Sequence, residues 1–272
     1  MTFVTRVPGP PLSDFVELLW FYDGYDPGHP RERLLPTGAM ELVIDLDDGP
    51  MRIAAGDQEQ FRAYRGPLIC GTHSSPFVID TSAPATVLGV HFKPGGAFPF
   101  LPVSAGELQD THVPLADLWG RRGDELRDRT IEARTPDERL RVLEQCLRAM
   151  APRPLERHAA VSFALSEFRR GPGGRLVSAV AKYAGLSRRR FTDLFRAEVG
   201  LTPKRFCRVV RFQEVLQRVQ RCRRVDWASV ALSAGYFDQA HFINDFREFC
   251  GVTPTTYLEC RGDHLNHLPI PM

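Results

Sequence analysis

AGYFDQAHFINDFREFCGVTPTTY, residues 234–257, restates in altered form AGLSRRRFTDLFRAEVGLTPKRF, residues 184–206. At an offset of 51 positions Phe191, Phe195, Arg196, Gly200, Thr202 and Pro203 fall on Phe242, Phe246, Arg247, Gly251, Thr253 and Pro254. Ala184 and Gly185 match Ala234 and Gly235 at an offset of 50, so the second copy carries one extra residue in its turn. Each copy reads as a small helix, a turn at Gly, a second helix and a Gly-x-Thr-Pro stop. That is the sequence shape of a helix-turn-helix, and two of them predict one unit that reads DNA twice.

Local physical chemistry supports this parsing. In the first copy Leu176, Val177, Val180, Ala181 and Ala184 recur at helical spacing. Gly185 supplies the positive φ that lets the chain leave a helix sharply. Ser187 is placed to cap the next helix, in which Phe191, Leu194 and Phe195 point inward while Arg188, Arg189, Thr192 and Arg196 point out. In the second copy Val230, Ala231 and Ala234 form the stripe, Gly235 the turn and Asp238 the cap. Phe242 and Phe246 are its buried anchors, with Gln239, His241, Asn244 and Arg247 on the outer face. Gly200 and Gly251 end the two helices, and Pro203 and Pro254 suit the first turn of the helices that follow. Lys204–Val219 reads as one linking helix of roughly 24 Å. It could hold the two reading helices about 34 Å apart, one turn of B-DNA.

The outward residues suit this role, because Arg, Gln and Asn can make paired hydrogen bonds to base edges in the major groove. Charge agrees. Residues 1–150 carry 15 Lys+Arg against 22 Asp+Glu, a net of −7, whereas residues 151–272 carry 20 against 11, a net of +9. The whole-chain value of +2 conceals a basic back half, the footprint of phosphate contact. Arg188-Arg189-Arg190 opens the first reading helix, and Arg221, Arg223 and Arg224 precede the second repeat. The competing reading is a small helical bundle with merely solvated charges, which six matched positions and two capped turns disfavour.

Residues from about 175 to 260 resemble the C-terminal domain of AraC-type regulators. The second copy is the specific part: Ala231-x-x-Ala-Gly-Tyr-Phe-Asp-Gln-Ala-His-Phe-Ile-Asn-Asp-Phe-Arg, then Gly251-Val-Thr-Pro-Thr-Thr-Tyr257. Leu186-Ser187, Phe191, Leu194-Phe195-Arg196 and Gly200-Leu-Thr-Pro203 also fit, as does Arg211 in the linking helix. The resemblance implies two helix-turn-helix units whose second helices enter successive major grooves of double-stranded DNA. Carried over by position, Arg189, Thr192 and Asp193 face bases in the first unit, and Gln239, Ala240, His241 and Asn244 in the second. Asp193 and Ala240 are poor partners for phosphate or base, so some contacts differ from the family pattern. The candidate DNA-binding set is Ser187, Arg188, Arg189, Thr192, Arg196, Asp238, Gln239, His241, Asn244 and Arg247.

The first 115 residues are rich in Pro and Gly and predict short strands at Met40–Leu46, Met51–Ala54, Leu68–Cys70, Phe77–Asp80 and Thr86–Phe92. Leu12–Phe21 reads as a short helix starting near Ser13 or Asp14. The run Arg33–Asp45 and the later Leu88-Gly-Val-His-Phe-Lys-Pro-Gly-Gly96 resemble the cupin-like N-terminal domain often joined to AraC-type modules. That resemblance implies a sensor for a small-molecule effector, with Glu41, Cys70 and His91 as the candidate binding residues. Glu41 and Asp45 share a face if their segment is a strand. His73 and His91 stand without the His-x-His cluster of a cupin oxygenase, so no metal, cofactor or catalytic residue is expected.

The expected fold is α+β: a β-rich cupin-like barrel or sandwich over residues 1–115, a helical connector over 116–173, an all-α double helix-turn-helix over 174–260, and a tail over 261–272. Gly171–Gly174 is the expected hinge. The six cysteines, Cys70, Cys146, Cys207, Cys222, Cys250 and Cys260, form no C-x-x-C pair or zinc spacing and point to a reducing compartment. With no signal segment and no membrane-length apolar run, the protein is expected to be soluble and cytoplasmic. The expected partners are DNA, an effector, RNA polymerase if the protein activates, and a second copy of the chain. Two alternatives remain open: an architectural DNA-binding protein without an effector, and a DNA-tethered cupin-type enzyme.

Overall fold

The computed structural model describes residues 2–56, 60–170, 177–222, 224–262 and 264–270. The expected hinge Gly171–Gly174, Leu176 of the first apolar stripe and Arg223 lie outside the described residues. In chain order the strands are β1 (Thr2–Arg6), β2 (Val16–Tyr25), β3 (Arg31–Leu34), β4 (Glu41–Asp45), β5 (Met51–Ala55), β6 (Arg62–Tyr64), β7 (Leu68–Cys70), β8 (Phe77–Asp80), β9 (Ala85–Phe92), β10 (His112–Pro114) and β11 (His267–Pro269). Six of them form a sheet ordered β1-β2-β9-β4-β7-β10, and five form a second sheet ordered β11-β3-β8-β5-β6. The two sheets do not share a strand, so the β-rich half is a sandwich and the barrel alternative does not apply.

The six-stranded sheet has two different faces because its strands alternate chemically. Leu19, Phe21, Leu42, Ile44, Leu88 and Val90 pack into one core with Leu126, Leu140, Leu143 and Leu147. Those leucines belong to α2 (Arg121–Glu132) and α3 (Pro136–Met150), which follow the short α1 (Leu115–Trp119). α3 starts at Thr135-Pro136, where Thr135 accepts from Glu138 N at 3.2 Å and Pro136 occupies the first turn. The other face of the sheet carries Trp20, Tyr22, Glu41, Val43, Asp45 and His91, which look toward the second sheet.

Leu12–Phe21 is corrected by the structure: a three-residue 3-10 turn at Leu12–Asp14 leads into β2. An apolar run of this length is ambiguous between the two periodicities. Here aromatic and β-branched residues bury on both sides of a sheet, with Leu19 and Phe21 on the helices and Trp20 lining the other face.

The second core belongs to the helices α4 (Ala159–Arg169), α5 (Val177–Tyr183), α6 (Arg188–Val199), α7 (Pro203–Val219), α8 (Trp227–Ser233), α9 (Gln239–Cys250) and α10 (Pro254–Cys260). The connector therefore divides. Its first three helices pack on the sheet, whereas Val161, Ala164, Leu165 and Phe168 of α4 join Phe191, Phe195, Phe206 and Phe212. The C-terminal tail crosses back as β11, an edge strand on β3 that places His267 opposite Leu34 and Leu268 opposite Arg33. Among the described residues no helix is long and apolar enough to cross a membrane.

Candidate nucleic-acid interface and effector cavity

Each helix-turn-helix is built by the devices its sequence encodes. In the first, Gly185 has φ +67° between α5 and α6, and Ser187 Oγ accepts from Arg190 N at 3.2 Å. In the second, Gly235 has φ +73° between α8 and α9, and Asp238 Oδ1 accepts from His241 N at 2.7 Å. Thr202 and Thr253 cap the following helices in the same way, accepting from Arg205 N at 3.3 Å and Thr256 N at 3.2 Å. These caps satisfy backbone donors that would otherwise be orphaned. Phe191 and Phe195 in α6, and Phe242 and Phe246 in α9, are fully buried.

With the phenylalanines inward, the opposite faces are open. Arg188, Arg189, Gln239, His241, Asn244 and Arg247 are exposed. Thr192 is half-buried and its hydroxyl donates to Arg188 O at 2.9 Å. Ser187 and Asp238 have their side-chain oxygens engaged as caps, so any role on DNA falls to atoms these bonds leave over. Arg196 lies across Gly106 of the sheet half, with Nη2 3.5 Å from that residue's carbonyl oxygen. In this arrangement it is an interdomain residue.

Polar contacts fix α9 to α7. Arg208 Nη2 donates to Asp245 Oδ1 at 2.7 Å, and the same group pairs with Glu248. Arg211 stacks its guanidinium over Tyr236, 4.9 Å from the ring centre, in the turn before α9. Phe237, the next residue, is 91% exposed. Sequence reasoning passed over it, yet a bare aromatic beside a reading helix is suited to an apolar base or sugar contact. Its signal was present: a second aromatic in a turn that already has Tyr236 as its buried anchor.

The tentative effector residues come together on the other half of the molecule. Cross-strand register sets His91, Glu41, Cys70 and His112 in one row across β9, β4, β7 and β10. His91 Nδ1 lies 2.7 Å from Glu41 Oε1. Burial pushes the Glu41 carboxyl up and the His91 imidazole down, but their mutual attraction outweighs both, leaving Glu41 lowered and His91 raised. Each therefore favours the charged form of the other. Burial, reinforced by the Glu41 charge, raises the Cys70 thiol, so it is held neutral. Glu41, Cys70, His91 and Asp45 all line a cavity of about 720 Å³ between the two sheets. That volume lies within the range of small-molecule sites. Among the described residues no three His, Cys, Asp or Glu side chains converge to hold a metal ion.

Gly89 shapes this cavity. A Cβ there would stand 2.3 Å from the Trp20 indole, so only glycine lets that ring lie across the sheet. His73, which also lines the cavity, packs against Phe77 with ring centres 4.4 Å apart and planes tilted by 40°. Burial depresses its imidazole to about 4.

Comparison with known proteins follows the same division. Residues 180–259 match a family model described as a helix-turn-helix domain, and residues 5–114 match one described as a domain of unknown function, DUF6597. A relative in Haemophilus influenzae, described as an uncharacterized HTH-type transcriptional regulator, is 30% identical over 81 residues. The match covers 30% of this chain and spans 27% of that relative's length. An AraC-type DNA-binding domain protein from Chromobacterium violaceum is similar at 22% identity and TM-score 0.34, over 37% of this chain and 89% of that one. ToxT from Vibrio cholerae aligns over 95% of this chain and 98% of its own, at 8% identity and TM-score 0.47. Residues 180–259 therefore carry a helix-turn-helix domain, and residues 5–114 ahead of them match the model of the domain of unknown function DUF6597.

Proposed function

We propose that this protein is a sequence-specific transcriptional regulator that reads double-stranded DNA with α6 and α9 and takes a small-molecule effector between its two sheets. The observation that carries this reading is the duplicated, doubly capped helix-turn-helix, each copy exposing polar residues on a helix anchored by buried phenylalanines. Arg189 and Thr192 serve the first half-site, and Gln239, His241 and Asn244 the second. Arg188 and Arg247 hold phosphates. The basic net charge of +9 over residues 151–272 supports salt-dependent affinity.

The polar row His91–Glu41–Cys70 supports the effector half of the reading. These are the positions at which a sandwich without a ligand site would place core residues. Fluorescence anisotropy with a selected site and a scrambled duplex tests the proposal. A regulator should prefer its site by ~10³ or more at physiological salt. Equal affinity for both duplexes would leave only an architectural role.

A further inference from the structure

The inter-sheet cavity has a wall that comes from the opposite end of the chain. His264, Leu265, Asn266 and His267 line it together with the strands. This segment is tied to both halves of the molecule. Leu35 N donates to Asn266 O at 2.9 Å, and Ile270 N donates to Arg31 O at 3.1 Å. From the helical side, Gln213 Nε2 in α7 donates to Asn266 Oδ1 and to Pro36 O, both at 2.8 Å. Leu268 is buried in the core of the DNA-binding half.

The lining has a definite chemistry. Among the described residues its charged side chains, besides histidines, are Glu41, Asp45, Asp47, Asp80 and the single cation Arg52. Glu41 is already paired with His91. Asp45 is 7% exposed, and among the described residues no guanidinium or ammonium lies within 4 Å of its carboxylate; Arg127 donates to its backbone oxygen instead. Burial, with the nearby charges of Asp47 and Asp48, raises the Asp45 carboxyl to about 6 against the opposing attraction of Arg127. On the far side of Val87, which pairs with Asp45 on one strand and Tyr22 on the other, stands an aromatic panel: Trp20 and Tyr22 meet edge-on at 6.0 Å, Tyr22 and Tyr25 at 5.2 Å, and Phe3 stacks on Tyr22. Ring faces next to a carboxylate attract a cation and discriminate against an anion. Trp20 and His73 are each 8% exposed, and Trp20 Nε1 and His73 Nε2 have no hydrogen-bond partner among the described residues. Buried polar atoms of this kind are normally satisfied.

We propose that this cavity binds an organic ammonium ion with an aromatic or aliphatic body, and that the bound ion fastens the segment His264–His267, and through it the DNA-binding domain, onto the sheets. The proposal rests on the regulator reading above. The ammonium group sits against Asp45 and the aromatic panel, its body fills the apolar space toward Leu34, Leu68 and Ile79, and an acceptor atom on it meets Trp20. Occupancy is then felt by α7 and α10 because the segment it holds is bonded to the first and continuous with the second.

Calorimetry on the full chain with tyramine and with tetraethylammonium tests the ligand class, with 4-hydroxyphenylacetate and decanoate as anionic counterparts. The ammonium probes should bind and the anions should not. Asp45→Asn, which keeps the oxygen that accepts from Asp47 N, should weaken binding about tenfold or more, as loss of a buried charge contact does. Tyr22→Leu gives an independent check should the first variant misfold. Amide exchange at Leu35 and Ile270, the donors that record docking of the tail, should slow several-fold with probe bound. Binding of the anions alone, or no binding, overturns the ligand class. Ammonium binding with unchanged exchange at both amides overturns the role of the tail. Site preference on DNA is measured in parallel: its retention when ammonium binding fails sinks this proposal alone, and its absence sinks the regulator reading beneath it.

Discussion

Thr72 Oγ1, at the edge of the sheet half, donates a 2.9 Å hydrogen bond to the carbonyl oxygen of Val199, the last residue of α6. Thr72 is fully buried, and the adjoining Gly200 packs on it so closely that a Cβ would stand 2.6 Å from the hydroxyl. The end of α6 is thus seated in the other half of the molecule. Arg205 does the same for the second unit, donating to Ser74 O and pairing with Glu248 of α9.

This seating predicts a difference between two glycines. Gly185 and Gly200 both have positive φ, +67° and +93°, but a Cβ on Gly185 would meet nothing within 4 Å. Gly185→Ala should therefore cost only the left-handed backbone penalty, about 1–2 kcal/mol. Gly200→Ala should cost clearly more, because the methyl also displaces Thr72. Urea unfolding of both variants checks this, and equal losses would mean that the two halves separate readily at Thr72.

Acid should loosen the sheet half through His73. Burial lowers its imidazole from 6.5 to about 4, so between those values the unfolded chain takes up a proton and the folded chain does not. Stability is complete above pH 6.5 and falls as pH drops toward 4, by an amount on the order of 3 kcal/mol from this residue. His73→Phe, which keeps a ring against Phe77, should flatten that part of the curve. Thermal melts across this range provide the comparison, and parallel curves for the two proteins would contradict it.

The exposed residues of the reading helices should divide by role. Arg189→Ala and Asn244→Ala should each cost ~1–3 kcal/mol on the preferred site and relax base choice at one position. Arg247→Ala should weaken all sequences alike and reduce the salt slope by about 1. Binding titrations on matched and mismatched duplexes at several salt concentrations distinguish these outcomes. Uniform loss in all three variants would remove the assignment of base readers.

Phe237 gives a cleaner case, since at 91% exposure it contributes no packing to lose. Phe237→Ser should leave stability within about 0.5 kcal/mol and still weaken DNA binding. Unchanged affinity would show that the ring serves no contact.

Legibility in the sequence followed the range of the interactions. The helix-turn-helix units are built from caps, turn glycines and phenylalanine anchors separated by a few residues, so Ser187, Gly185 and Phe191 announced them. The strands β4, β5, β7, β8 and β9 were visible as short apolar runs between turns, and β2 was misread because Val16–Phe21 buries on both faces. The remaining features depend on distant partners. Leu268 gives no local sign that it will pair opposite Arg33, more than 200 positions away. Arg196 shares its place in the repeat with Arg247, yet the first lies on Gly106 and the second stands in solvent. Glu41, Cys70 and His91 were separately suggestive, but only antiparallel register aligns them.

Selection of random duplex DNA by the purified protein, with sequencing of the retained pool, tests the central claim most directly. The account predicts two short motifs one helical turn, about 10 base pairs, apart, one lost on Arg189→Ala and the other on Asn244→Ala. A pool with no enriched sequence, from protein that still binds DNA in a salt-sensitive way, would contradict readout by two helices.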